Sequence, residues 1–120
     1  MLFVLLEHTV EHPRPGAHWD LMIELPGREK LATWRLAHDP ITHVGAIEAV
    51  RIGEHRRVYL HYEGDIGGGR GSVRRVDRGE SVLLESSEER IVVELRGAAL
   101  RGRCEIAHVG EGARFRRLDR

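Results

Sequence analysis

The stretch His18-Trp19-Asp20-Leu21-Met22-Ile23-Glu24-Leu25 alternates without a break. Trp19, Leu21, Ile23 and Leu25 fall on one side and His18, Asp20, Met22 and Glu24 on the other, the period-two signature of a half-buried β-strand. His18 and Asp20 therefore stand side by side on the polar face. Neutral imidazole and ionised carboxylate both ligate divalent ions, so the pair needs one donor from another strand to make a facial metal site. His8 is that candidate. The plainer alternative is two polar side chains meeting solvent, because a His-x-Asp pair alone has low specificity. Eight histidines in 120 residues weigh toward a site.

Working outward, residues 2–8 suit a strand buried on both faces, with Glu7 and His8 at its polar end. The opening apolar run of six residues is too short for a signal-peptide core and far too short to span a bilayer. The expectation is a first strand in a cytoplasmic protein with no membrane contact. Residues 9–17 hold Pro13, Pro15 and Gly16 and make a loop that carries His12 and Arg14. His8 and His18 flank that loop, as two neighbouring antiparallel strands would place them.

Downstream, 26–30 reads as a hairpin turn and 31–36 as its return strand. Residues 37–46 form a loop punctuated by Pro40 and Gly45, and 46–52 a strand or short helix. Residues 56–64 read as a further strand, with Val58, Leu60 and Tyr62 on one face and Tyr59 and His61 on the other. In 65–72 four of eight residues are glycine. No helix start follows, so this is a mobile loop able to close over a polymeric substrate rather than a phosphate-cradling P-loop. Short strands over 72–79, 80–86, 90–97 and 99–109 follow, separated by turns at Gly79, 86–89 and Gly97. Residues 110–120 form a last strand or a frayed end. With no long helix, the pattern predicts an all-β chain, a single domain over 1–120 folded as a compact antiparallel β-barrel.

Composition bounds the function. Nineteen basic and nineteen acidic side chains cancel, which excludes a global electrostatic footprint for nucleic acid. A local patch stays open, because all but one of the basic residues are arginine, the side chain suited to bidentate phosphate contacts. The single cysteine, Cys104, excludes an internal disulfide and a cysteine-rich zinc site, and reads as a buried small apolar residue.

Taken in order, these residues resemble the 3′-phosphoesterase domain family of bacterial DNA ligase D, small manganese-dependent β-barrel enzymes that heal 3′ ends. His8 matches the histidine that ends the family's opening strand, and His18 and Asp20 match its His-x-Asp-x-Arg. LATWRL (31–36) matches its tryptophan strand, and Glu54-His55 with Tyr59 its Asp-His-Pro and following tyrosine. Glu63-Gly64, the glycine loop, Asp77-Arg78-Gly79 and the closing hairpin over 93–109 complete a likeness that covers nearly the whole chain. The departures are a longer loop between His8 and His18, a shorter glycine loop, and four substitutions. Met22 stands at the motif's arginine, His38 at its lysine, Ile47 near a phosphate-binding arginine, and Arg56 at the proline.

The resemblance implies that His8, His18 and Asp20 hold one Mn²⁺ or another divalent transition metal. It implies that His55 contacts the phosphate or protonates the leaving oxygen, and that Tyr59 donates to the same phosphate. Arg51, Arg56 or Arg70 would supply the charge missing at Met22. The implied substrate is a nucleic-acid 3′ end on a primer–template, DNA or RNA, losing a 3′-phosphate or 3′-ribonucleotide in DNA repair. A monomer working beside a separate DNA ligase and polymerase is the implied setting. Two other readings compete. One is a catalytically weak or inactive nucleic-acid-binding barrel that keeps the metal, supported by Met22. The other is a small non-haem iron enzyme, since His-x-Asp plus a distant His is also that facial triad, although 120 residues show no cosubstrate anchor. Glu24 and His61 either orient ligands or face solvent. His12, His43 and His108 read as surface residues.

Overall fold

The strand β1 (Leu2–Val10) is hydrogen-bonded along both edges, and this closes the sheet. The computed structural model describes residues 1–11 and 15–118; His12, Pro13 and Arg14 of the expected loop and the last two residues of the tail lie outside them. After β1 come β2 (Gly16–Ile23), β3 (Leu31–Leu36), β4 (Ile47–His55), β5 (Gly64–Asp65), β6 (Ser72–Ser86), β7 (Arg90–Gly97), β8 (Arg101–Val109) and β9 (Gly112–Arg117). The spatial order is β1-β2-β3-β4-β9-β8-β7-β6, all antiparallel, and β6 returns to pair with β1. Eight strands thus form a closed barrel, and the two-residue β5 is an extra strand on β6. The expected all-β barrel is the fold observed. Among the described residues no helix is long and apolar enough to cross a membrane.

Alternation sorts the side chains. Phe3 and Leu5 of β1, Leu21 and Ile23 of β2, Trp34 of β3 and Phe115 of β9 fill the interior, and Cys104 is buried with them. The intervening residues Val4, Leu6, Met22, Leu31 and Val73 form a second apolar cluster on the barrel's outside. Leu60, Tyr59 and Ile66 roof that outer cluster, which is why β1 is apolar on both faces. Burying a leucine such as Leu60 contributes about 2 kcal/mol.

That roof corrects the reading of 56–64 as a strand. Residues Arg57–Leu60 form a 3-10 turn, followed only by the short β5. Of this stretch only Gly64 enters a strand, opposite Val73 at the start of β6. The turn instead drops Leu60 onto the outer cluster. The expected break at Gly79 is also absent: β6 runs unbroken through it, pairing with β1 in its first half and β7 in its second. Gly79 lies opposite Gly97, and a Cβ on Gly79 would stand 2.2 Å from the Arg96 carbonyl oxygen. The glycine permits close backbone approach, not a turn. The strand expected at 18–25 spans Gly16–Ile23 instead, although the Glu24 amide still donates to Leu2 O at 3.0 Å.

Asp77 ties the barrel's crossing to the β7–β8 turn. Its carboxylate accepts from the amides of Leu100 (2.6 Å), Ala99 (2.9 Å), Ala98 (2.9 Å) and Arg78 (2.8 Å). Burial works to raise its pKa, but the four amide donors outweigh it and hold the group below the ordinary 3.8. A depressed folded-state pKa means a stabilisation present above the unfolded value and lost as the pH falls through the folded one. Asp77→Asn should cost about 2–3 kcal/mol near neutral pH. In urea melts taken from neutral to strongly acidic pH, the variant should show a flatter acid decline than the wild type.

Candidate metal centre

His8, His18 and Asp20 meet because of register. His8 lies directly opposite His18, and Leu6 opposite Asp20, so two antiparallel strands bring three donors to one outward patch beside the apolar roof. One ligand atom from each falls within 4.8 Å of the others. His8 Nδ1 is 2.8 Å from His18 Nε2 and 3.8 Å from Asp20 Oδ2, while His18 Nε2 is 3.6 Å from Asp20 Oδ1. An ion held about 2.1 Å from each donor requires donor–donor separations of about 3.0–3.4 Å, close to these values.

The hydrogen bonding fits a cation at the same point. His8 Nε2 lies 2.6 Å from the carbonyl oxygen of Arg70. A carbonyl only accepts, so Nε2 donates to it, and Nδ1 can then accept from His18 Nε2–H at 2.8 Å or, once that proton is lost, face an ion. Asp20 is 2% exposed, and its Oδ1 is buried with no hydrogen-bond donor. A buried carboxylate oxygen without a hydrogen-bond donor is costly; Arg35 Nε, 3.6 Å away, offsets its charge only in part, and a cation among the three donors would complete it. The three side chains therefore fit a divalent ion, with two imidazoles and one carboxylate as its protein ligands.

The glycine-rich loop supplies the orienting carbonyl. It closes on itself through Ile66 N to Gly71 O (3.0 Å), and its Arg70 guanidinium donates to the carbonyls of Gly67 and Ile66. Gly71 has φ +94° and lies against β1, where a Cβ would meet Thr9 O at 2.0 Å. On its other side the loop walls a groove of about 480 Å³ lined by Arg56, Val58, Tyr59, Tyr62, Asp65, Ile66 and Gly67. Tyr59 and Ile66 there pack on the cluster that contains Leu6 and Met22, the outward neighbours of Asp20.

The remaining expected site residues are placed differently. His55 ends β4 opposite Leu31, one position beyond the Ala32–Ile23 pair. It therefore lies about 13 Å along the strands from the Asp20 level. Its Nδ1 donates to Gly53 O at 2.8 Å, and its ring meets Tyr59 edge-on at 5.6 Å. Arg51 faces Trp34, its guanidinium carbon 4.7 Å from the ring centre, and so is turned away from the metal patch. Arg70 spends its guanidinium on its own loop, and only its carbonyl reaches the site. Arg56 alone of the three expected phosphate binders lines the groove.

Other departures have local causes. Met22 is 1% exposed under the roof, and Ile47 is 1% exposed in the interior, so the two positions that the resemblance sets at or near arginines serve packing here. His38 stacks on His43 with ring centres 4.5 Å apart. His108 is half-buried, and its Nε2 accepts from Trp34 Nε1 at 3.1 Å, which corrects its reading as a surface residue. Glu24 accepts from Leu2 N and Arg57, and His61 neighbours Arg78, so neither orients a metal ligand.

One residue was missed. Arg35 sits directly opposite Asp20, with Nε 3.6 Å from Oδ1. Counting back through the hairpin at 26–30 would have found it.

No protein-family model matches the chain, and no curated protein matches it. The candidate site rests on its own geometry and on the motifs that lead to it.

Metal uptake should register directly in stability. At a Mn²⁺ concentration about 100 times its dissociation constant, binding would add about 2.7 kcal/mol to the folded state. His18→Ala and Asp20→Asn should each abolish the resulting rise in Tm, measured by calorimetry against a chelator control.

Proposed function

We propose that this protein is a metal-dependent phosphoesterase acting on nucleic-acid 3′ termini. The observation that carries the reading is the buried, donorless oxygen of Asp20 converging with two imidazoles on an outward face. The ordered motifs shared with the ligase D phosphoesterase family point to the same chemistry, and the adjoining groove gives a strand end somewhere to lie.

His8, His18 and Asp20 would hold the ion, Mn²⁺ by the resemblance. Bound there, such an ion supplies Lewis-acid polarisation of a phosphoryl oxygen. The chain's own groups do the rest. The Arg70 carbonyl fixes the His8 ring and its tautomer, the kind of outer contact that raises ligand basicity and orients it. Tyr59 presents its ring to the groove, where the terminal sugar and base would lie against Tyr62 and Val58, and Arg56 brings a cation to that rim. His55, being one full strand segment away, takes no part in proton transfer in this reading.

One observation favours a second reading, a binding barrel without turnover: Met22 is committed to the roof, where an arginine would otherwise serve the phosphate. A labelled primer–template ending in a 3′-phosphate or a 3′-ribonucleotide separates the two when incubated with Mn²⁺ or chelator. Removal of the 3′ group is expected, and it should fall to the metal-free background in His18→Ala. Intact primer despite bound Mn²⁺ would refute the esterase and leave the binding barrel.

A further inference from the structure

We propose that Arg35 is the phosphate-positioning residue of this site, and that its geometry favours a terminal phosphomonoester over an internal diester. This rests on the metal-site reading above. Arg35 projects from β3 on the same outward face as Asp20, its direct cross-strand partner. Its Nε lies 3.6 Å from Asp20 Oδ1, near enough to share a ligand's surroundings yet not hydrogen-bonded to it. The side chain is 43% exposed, so the guanidinium spans from the buried carboxylate to the open side of the patch.

Four of the surrounding cations are already engaged, and Arg56 stands at the groove rim. Arg57 is bound to Glu24, Arg74 to Glu7, Arg70 to its loop and Arg51 to the Trp34 ring. Arg35 is itself paired with Asp20, but at 3.6 Å and without a hydrogen bond, and a carboxylate that ligates an ion has less need of it. A guanidinium presents two parallel N–H donors that match two phosphoryl oxygens, and beside an ion that takes a third oxygen this arrangement uses three. A terminal phosphomonoester has three non-bridging oxygens; a diester has two. The preference for a 3′-phosphate follows from that count.

The test uses Arg35→Gln and Arg35→Lys in the full chain, with inorganic phosphate as probe. Mn²⁺ affinity, read from free-ion electron paramagnetic resonance, should be unchanged or slightly tighter in Arg35→Gln, since a cation beside the ligands is gone. Phosphate binding to the Mn²⁺-loaded protein, read by calorimetry, should weaken roughly 10–100-fold. Arg35→Lys keeps the charge and loses the fork, so it should recover only part of that loss. On primers, KM for a 3′-phosphate end should rise in Arg35→Gln far more than KM for a 3′-ribonucleotide end. Wild-type phosphate affinity in both variants would overturn the role of Arg35 while leaving the metal site standing. A wild type that takes up no Mn²⁺ would overturn the metal site and the Arg35 proposal together.

Discussion

The double pairing of β1 is the constraint on which the molecule depends. With β2 on one edge and β6 on the other, β1 closes the barrel, and the β1–β2 register sets His8 against His18. Closure therefore fixes the site as well as the core. The interior gains Phe3 and Leu5 from one face of the strand, and the patch gains Leu6 and His8 from the other. Asp77 and the Gly79–Gly97 approach brace the opposite flank, where β6 leaves β1 and joins β7.

The barrel and the three converging donors were legible because both follow from local alternation. Period two told which residues of β1 and β2 share a face, and the intervening loop told that the strands are antiparallel. What alternation cannot tell is which strand finds a neighbour. Residues 56–64 alternate well enough, yet only Gly64 finds a strand to pair with, and before it the chain tightens into a 3-10 turn that uses Leu60 as a plug. Gly79 misled for a related reason: glycine marks turns and close backbone contacts alike, and only the partner strand distinguishes them.

The cations were harder to place. An arginine reaches far, and its destination depends on whichever carboxylate, ring or carbonyl lies within reach. Arg51 found Trp34 and Arg70 found its own loop, whereas Arg35, which no motif marked, stands beside Asp20. The hairpin register was the signal that mattered, and it concerns pairing between strands rather than any short pattern within one.

The split between the two faces of β1 and β2 also governs how such a chain can diverge. The interior residues and the three candidate donors occupy alternate positions of the same strands, so a substitution at the inward parity alters the barrel core and one at the outward parity alters the site or the roof beside it. Inserting or deleting a single residue within either strand would exchange the two sets, turning imidazole inward and phenyl outward. A change of length in the connection between them leaves that parity untouched. Lineages built on this plan should accumulate length changes in that connection and almost none in the strands it joins.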